Sequence, residues 1–193
     1  MASLNKEKKR KIIREVATKL FAEKGFENTT TREISKAAKV SSSALYYYFD
    51  SKEELLYQIL DETISTGLKL ITKIDENEKD FRKKLSSVLR IHTASAVNFD
   101  KMKLLVHDQK SLSPDHMVAI KDKQRDYVRI LITILESLKQ QRKIKGIDPT
   151  ACAFAFFGMV SWAYRWYNPK GRIKPRELSE IFSRIFTRGI FSD

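Results

Sequence analysis

The chain has 193 residues, 42% of them apolar, with 6 glycines, 4 prolines and one cysteine, Cys152. That is apolar matter enough for a core, but too little Gly and Pro for a protein built from strands and tight turns. A single cysteine excludes an intrachain disulfide and a cysteine zinc cluster, and a formal net charge of +13 points to a polyanionic partner: nucleic acid, a membrane surface or a phosphorylated ligand.

Taken in chain order, every long segment reads as helix, so the expected fold class is all-α with nine helices. The first 14 residues are charged and lack an apolar signal core, so no secretion signal is expected and the protein is read as cytoplasmic. Ile13, Val16, Ala17, Leu20 and Phe21 form one stripe at spacings of three and four, and Gly25 stands where a left-handed residue would close that helix. Thr30 and Glu33 have the spacing of a capping box, opening a short helix to about residue 38. A second short helix spans about 42–49. Ser51 to Glu54 repeats the capping pattern and opens a long helix with Leu55, Leu56, Ile59, Leu60, Ile64 and Ile71 inward.

Further on, Phe81, Leu85, Val88, Leu89 and His92 share a face of a helix at about 79–99, and a shorter helix follows at about 101–109. Ser113-Pro114 starts a helix striped by Tyr127, Leu131, Ile134, Leu135 and Leu138, expected to end near 145–146. Asp148-Pro149 is an N-cap followed by proline at the first helical position. That helix is expected to reach about Tyr167. It contains the longest uncharged run, 149–164, which falls short of the ~18–20 residues that span a bilayer. A last helix, about 174–188, carries Leu178, Ile181, Phe182, Ile185 and Phe186. Cys152, set among Ala151, Ala153 and Phe154, reads as a buried small residue.

Charge is unevenly spread. Residues 1–52 hold 12 basic against 6 acidic side chains; residues 139–176 hold Lys139, Arg142, Lys143, Lys145, Arg165, Lys170, Arg172, Lys174 and Arg176 against Asp148 alone. In the first basic region, two short helices joined by Lys39-Val40-Ser41 suggest a helix-turn-helix. Ile34, Ala37, Ala38, Val40, Leu45 and Phe49 supply its packing. On the second helix Ser43 and Tyr47 lie opposite Leu45, Tyr48 and Phe49, flanked by Ala44 and Tyr46. Small residues at the start let the backbone enter a major groove ~12 Å wide, and the tyrosines can donate to phosphates.

The segments Phe21-Ala22-Glu23-Lys24-Gly25-Phe26, Thr30-Thr31-Arg32-Glu33-Ile34, Val40-Ser41, Leu45-Tyr46-Tyr47-Tyr48-Phe49 and Ser51-Lys52-Glu53-Glu54-Leu55 resemble the N-terminal signature of tetracycline-repressor-like regulators over residues 7–60. The resemblance implies a DNA-binding domain at 1–52 and a ligand-binding, dimerising domain at 53–193. It also implies a homodimer that represses from a near-palindromic operator. Carried over residue by residue, the DNA contacts are Thr31, Arg32, Ser42, Ser43, Ala44, Tyr46, Tyr47, Tyr48 and Lys52. The arm from Lys6 to Lys11 is either a further backbone contact or a solvated helix start. Lys39 departs from the family's usual glycine and must turn left-handed at a cost of ~1–2 kcal/mol, unless the turn differs.

The last two helices are the most apolar pair, and the family's dimer interface maps to Phe154, Gly158, Ser161, Ile181, Phe182 and Ile185. His92 is read first as a core histidine with a local partner and second as a ligand contact. The stretch from Trp162 to Arg172 combines two tryptophans expected to stack at i, i+4 with Arg165 and a local excess of cations. It resembles the Trp-x-x-x-Trp-Tyr-x-Pro stretch of the branch that senses acyl-coenzyme A thioesters. The expected effector is therefore a fatty acyl-CoA, with His92, Tyr127, Leu131 and Phe157 along the acyl chain and Trp162, Arg165, Trp166 and Arg172 at the nucleotide. The alternative is a hydrophobic drug or aromatic compound sensed by the same fold. No metal, cofactor or membrane partner is expected. Three histidines, no HExxH, no nucleophile elbow and no Gly-rich phosphate loop argue against an enzyme. A non-specific DNA-packaging protein would not need so large an apolar body.

Overall fold

A computed structural model describes residues 2–96, 98–144 and 146–191, without the side chains of residues 2–5 and 96; Lys145 of the second basic region lies outside them. Among the described residues there are nine α-helices: α1 (Ala2–Lys24), α2 (Thr31–Ala37), α3 (Ser42–Tyr48), α4 (Lys52–Asn77), α5 (Phe81–Ala96), α6 (Phe99–Lys103), α7 (Pro114–Gln140), α8 (Pro149–Ser161) and α9 (Pro175–Ile190). A single antiparallel bridge, Ile144 with Phe191, is the one extended pairing among them.

Local chemistry sets most helix ends. Thr30 accepts from the Glu33 amide at 3.2 Å, and the Glu33 carboxylate accepts from the Thr30 amide at 2.8 Å, completing the capping box. Lys24 donates to the same carboxylate at 2.6 Å; with bonds from the Thr30 amide (2.8 Å) and hydroxyl (2.9 Å) it holds the Glu33 pKa down to about 2. Asp148 caps α8 by accepting from the Ala151 amide at 2.7 Å. Gly25 (φ 84) closes α1, its amide donating to the Phe21 carbonyl at 2.8 Å. Ser51 caps α4 through the Glu54 amide at 2.9 Å, but the Glu54 carboxylate turns to Gln58 at 2.6 Å.

Lys39 does adopt the left-handed conformation (φ 55). Its amide donates to the Lys36 carbonyl at 3.2 Å and that of Val40 to Ser35 at 3.0 Å, the paired bonds that end a helix around a left-handed residue. Relief of ~1–2 kcal/mol of backbone strain, less the extra freedom glycine gains in the unfolded chain, makes Lys39→Gly stabilising by about 1 kcal/mol. Thermal unfolding should show a rise of about 2–4 °C; a lower melting temperature would mean that the Lys39 side chain contributes more than its backbone costs.

Three boundaries depart from expectation. α7 stops at Gln140 and closes on Arg142 (φ 54), not near Gly146, because Arg142 and Lys143 donate back to the Lys139 and Leu138 carbonyls at 2.9 and 3.0 Å. α8 gives way at Ser161 to a 3-10 turn, Trp162–Arg165, so the helical register that would stack Trp162 on Trp166 is lost. Trp166 instead meets Tyr167 and Phe182 edge-on, with centroids at 6.0 and 6.3 Å. The buried Tyr167 draws the chain off the helical path, its hydroxyl donating to the Ile173 carbonyl at 2.9 Å. The helix expected at 101–109 is α6 followed by a π turn, Leu104–Asp108, and a 3-10 turn, Gln109–Ser111. Bonds to the end of α1 hold this segment: Lys103 to the Ala22 carbonyl, Asp108 from the Phe26 amide (3.3 Å) and Ser111 to Glu27 (3.0 Å).

The chain packs as two compact units. One comprises Met1–Thr63 and Asp100–Ile120, with Ile13, Ala17, Phe21, Ile34, Leu45, Phe49, Leu55, Leu56 and Ile59 in its core. The other comprises Ile64–Phe99 and Lys121–Asp193; α5 packs on α8 and α9 around Leu85, Leu89, Phe156, Leu178, Phe182 and Phe186. Cys152 is buried there, and burial followed by the Asp148 charge pushes its thiol pKa up to about 11.

Candidate nucleic-acid interface and effector site

The first unit presents α3. Ser41 begins it, accepting from the Ala44 amide at 3.1 Å, and Leu45 and Phe49 anchor it inward. The opposite face is open: Tyr46 is 52% and Tyr47 68% exposed. Ser42, Ser43 and Arg32 are exposed, and Thr31, Ala44, Tyr48 and Lys52 are half-buried. The Thr31 and Tyr46 hydroxyls bond to each other at 3.4 Å, so α2 and α3 present a joined pair of hydroxyls with one O–H left to donate outward. Ser41 and Ser43 hydroxyls lie 3.0 Å apart. Tyr47 is held between Tyr48, edge-on at 5.2 Å, and the Lys6 ammonium, 4.7 Å from its ring centroid. A face with small residues at its start, rigid phenols beyond and cations at its rim suits a major groove between phosphate walls.

Two cations behave differently from a surface reading. Arg10 belongs to the basic arm by sequence, yet it turns inward. Its guanidinium donates to the Tyr48 carbonyl at 2.9 Å and to Gln58 Oε1 at 2.8 Å, and lies 4.9 Å from the Phe49 ring centroid. It thus serves the otherwise unbonded end of α3. Lys52 donates to the Phe26 and Thr29 carbonyls at 2.8 and 3.0 Å and sits 4.2 Å from the Phe26 centroid, tying the first turn of α4 to the loop that enters α2. Two of its three N–H donors are spent there. No spacing pattern in the sequence marks either role.

The second unit brings together His92 (α5), Tyr127 (α7) and Phe157 (α8), with Phe156, which the sequence reading had not included. His92 Nδ1 lies 3.2 Å from the Tyr127 hydroxyl, and its ring meets Phe157 edge-on at 4.8 Å and Phe156 at 5.5 Å. Desolvation lowers the His92 pKa to about 4 and raises that of Tyr127, so both are neutral near pH 7. Gly67 of α4 explains how Tyr127 seats: a Cβ there would lie 3.2 Å from Tyr127 Cε2. Its cue was a glycine inside a long helix, where it costs about 1 kcal/mol against alanine. Leu131 is fully buried in this core.

The remaining expected ligand contacts form a surface group. Trp162 and Trp166 are exposed, as are Arg165 and Arg172. The Arg165 guanidinium lies 4.4 Å from the Trp162 centroid, and its Nε donates to the Tyr164 hydroxyl at 3.0 Å. Of the expected dimer residues, Phe154 (58% exposed), Gly158 and Ile185 (59%) are open, and Ser161 and Ile181 are half-buried. Phe182 is a correction: at 6% exposed, against Trp166, it belongs to the core of the chain itself and not to an open face. Among the described residues no helix is long and apolar enough to cross a membrane, and no group of three or more His, Cys, Asp or Glu side chains could hold a metal.

Two short helices around a left-handed turn, the second outward-facing, define a helix-turn-helix DNA-binding protein. Residues 13–59 match the model for bacterial regulatory proteins of the tetR family, and residues 78–190 match the tetracyclin repressor-like C-terminal domain. The chain belongs to the tetR family. It is therefore a DNA-binding transcription regulator, and the related proteins are regulators, not enzymes. It is 26% identical over 187 residues to the HTH-type transcriptional repressor KstR2 of Rhodococcus jostii (strain RHA1), covering 92% of this chain and 89% of that one. A solved tetR-family regulatory protein from Rhodococcus RHA1 superposes with a TM-score of 0.87 at 28% identity, over 96% and 99% of the two chains. AibR, solved in complex with isovaleryl coenzyme A and operator DNA, shares the fold with a TM-score of 0.83 at 24% identity, over 93% and 98%.

Proposed function

We propose that this regulator is a homodimeric repressor released from a near-palindromic operator by a fatty acyl-CoA. Residues 1–52 bind DNA, with Ser42, Ser43, Ala44 and Arg32 toward the bases and Thr31, Tyr46, Tyr47, Tyr48 and Lys52 toward phosphates. Residues 53–193 dimerise through the open faces of α8 and α9 and hold the effector. The observation that carries the effector reading is the Arg165–Trp162 pair, an exposed cation on an aromatic face within a strongly basic stretch. Operator DNA does not need a positive charge there, and neither does the core. A nucleotide bearing phosphates uses both the cation and the flat ring, while the His92, Tyr127, Leu131 and Phe157 group suits an acyl chain. AibR, of the same fold, is a protein that takes an acyl-CoA and operator DNA together. Effector binding shifts the population toward a state without operator affinity, by no more than its differential affinity for the two states.

A gel-shift titration tests this. Palmitoyl-CoA is expected to release the wild-type protein from its operator. The Arg165→Ala/Arg172→Ala variant should need at least tenfold more, with operator affinity in the absence of palmitoyl-CoA unchanged. Equal release of both proteins would favour a hydrophobic compound that has no use for the charges. Absence of calorimetric binding across acyl chain lengths would end the acyl-CoA reading.

A further inference from the structure

The His92–Tyr127 pair has an unbalanced hydrogen-bond account. The Tyr127 hydroxyl and His92 Nδ1 bond to each other, while His92 Nε2 is closed off from solvent and has no hydrogen-bond partner among the described residues. A neutral imidazole carries one proton, and its place follows from counting. If Nδ1 held it and donated to the phenol oxygen, the phenol proton and the Nε2 lone pair would both be left without partners among the described residues. If Nε2 holds it, the phenol donates to Nδ1 and only Nε2–H is left over. The second arrangement strands one group instead of two. His92 therefore presents a single N–H donor, oriented by Tyr127, among the rings of Phe156 and Phe157. The edge-on ring contact with Phe157 offsets only part of the missing bond.

We infer that His92 Nε2–H is the polar anchor of the effector site and that it recognises a neutral carbonyl oxygen joined to an apolar group, as in a thioester, ester or ketone. This rests on the reading of residues 53–193 as the effector-binding part and goes beyond it by naming the chemical feature read. A buried neutral donor ringed by aromatics satisfies one acceptor without requiring a counter-charge. A carboxylate would have to be stripped of water there, and among the described residues the hydrogen-bond and ring partners of His92 are Tyr127, Phe156 and Phe157, none of them a cation. Burial, which keeps this imidazole unprotonated down to about pH 4, is consistent with a neutral partner. Tyr127 acts through His92 as a positioning residue.

The test pairs probes that differ only in the carbonyl: octanoyl-CoA against S-octyl-CoA, its thioether, and 2-undecanone against undecane. Calorimetry on the full-length protein at pH 7.5 is expected to show at least a tenfold preference for the carbonyl member of a pair. His92→Phe is expected to erase the preference while leaving the carbonyl-free probe's affinity within about threefold. Tyr127→Phe, which keeps the ring and frees the imidazole, should reduce the preference without weakening the carbonyl-free probe. Operator binding in a gel shift reports that each variant is folded, and the wild-type probe pairs stand even if a variant does not fold. If neither carbonyl probe binds, or each binds no better than its partner, the inference is overturned. If the ketone pair is discriminated while neither coenzyme A derivative binds, the inference holds and the acyl-CoA reading fails. If octanoyl-CoA and its thioether bind equally and the ketone pair is not discriminated, acyl-CoA sensing survives and the role of His92 does not.

Discussion

Replacing Phe154 and Ile185 with glutamate is expected to leave a folded chain that sediments as a monomer and no longer shifts operator DNA at concentrations where the wild type does. Both side chains are more than half exposed, Phe154 on the uncharged α8 and Ile185 on α9, and at Gly158, one turn from Phe154, an added Cβ would meet nothing within 4 Å. Scattered exposed apolar residues need no explanation, but Phe154 and Ile185 stand on two helices that pack together, α8 and α9. A twofold interface meets each substitution twice. Lost burial of an Ile is about 1.5–3 kcal/mol, and a carboxylate desolvated without a partner costs several kcal/mol more. Counted in both copies, Ile185→Glu alone should therefore weaken the dimer by more than about 10⁴-fold. Because both residues are exposed in the single chain, the melting curve of the monomer should stay cooperative. Analytical ultracentrifugation decides the matter: a double variant that still sediments at twice the mass of one chain removes α8 and α9 from the interface.

Lys52→Met should lower the melting temperature by about 5–10 °C and weaken operator binding with it. The substitution keeps the aliphatic stem but strands the Phe26 and Thr29 carbonyls and removes the cation from the Phe26 ring. Bonds from a charged donor contribute about 1.5–3 kcal/mol each, discounted here because Lys52 is only half-buried. A net loss of about 2–3 kcal/mol corresponds to the stated shift for a chain of this size. Differential scanning calorimetry with and without operator DNA separates the two effects. An unchanged melting temperature would show that these carbonyls do not depend on the ammonium, and would leave Lys52 as a phosphate contact alone.

The helix-turn-helix and its outward face were legible because their determinants are short-range and typed. A Thr three residues before a Glu, an Asp before a Pro and a Gly after an apolar stripe each describe a cap that forms within one turn. The departure at Lys39 was readable against the glycine usual in the family the sequence resembles, with a different turn as the other outcome; the backbone took the left-handed one. The tyrosines could be sided because Leu45 and Phe49 leave Tyr46 and Tyr47 no room inside. The effector residues were harder. His92, Tyr127 and Phe157 do meet, but Phe156 and Gly67 carry no mark that separates them from ordinary core and helix residues. The expected stack of Trp162 on Trp166 assumed that α8 continues. Nothing in the local spacing shows that Tyr167 will be buried and its hydroxyl bonded to Ile173.

Sequence alone thus determined the order of the helices, most of their caps and the polarity of their faces, because α-helical bonds join residues four apart and side-chain caps reach three. What tertiary structure decided is where the long polar side chains end. Arg10 reaches Tyr48 and Gln58 across 38 and 48 residues, Lys52 reaches Phe26 and Thr29 across 26 and 23, and His92 reaches Tyr127 across 35. Those pairings depend on how whole helices pack. Packing is driven by burial of apolar area, which is non-directional and leaves no periodic trace at the polar positions it brings together.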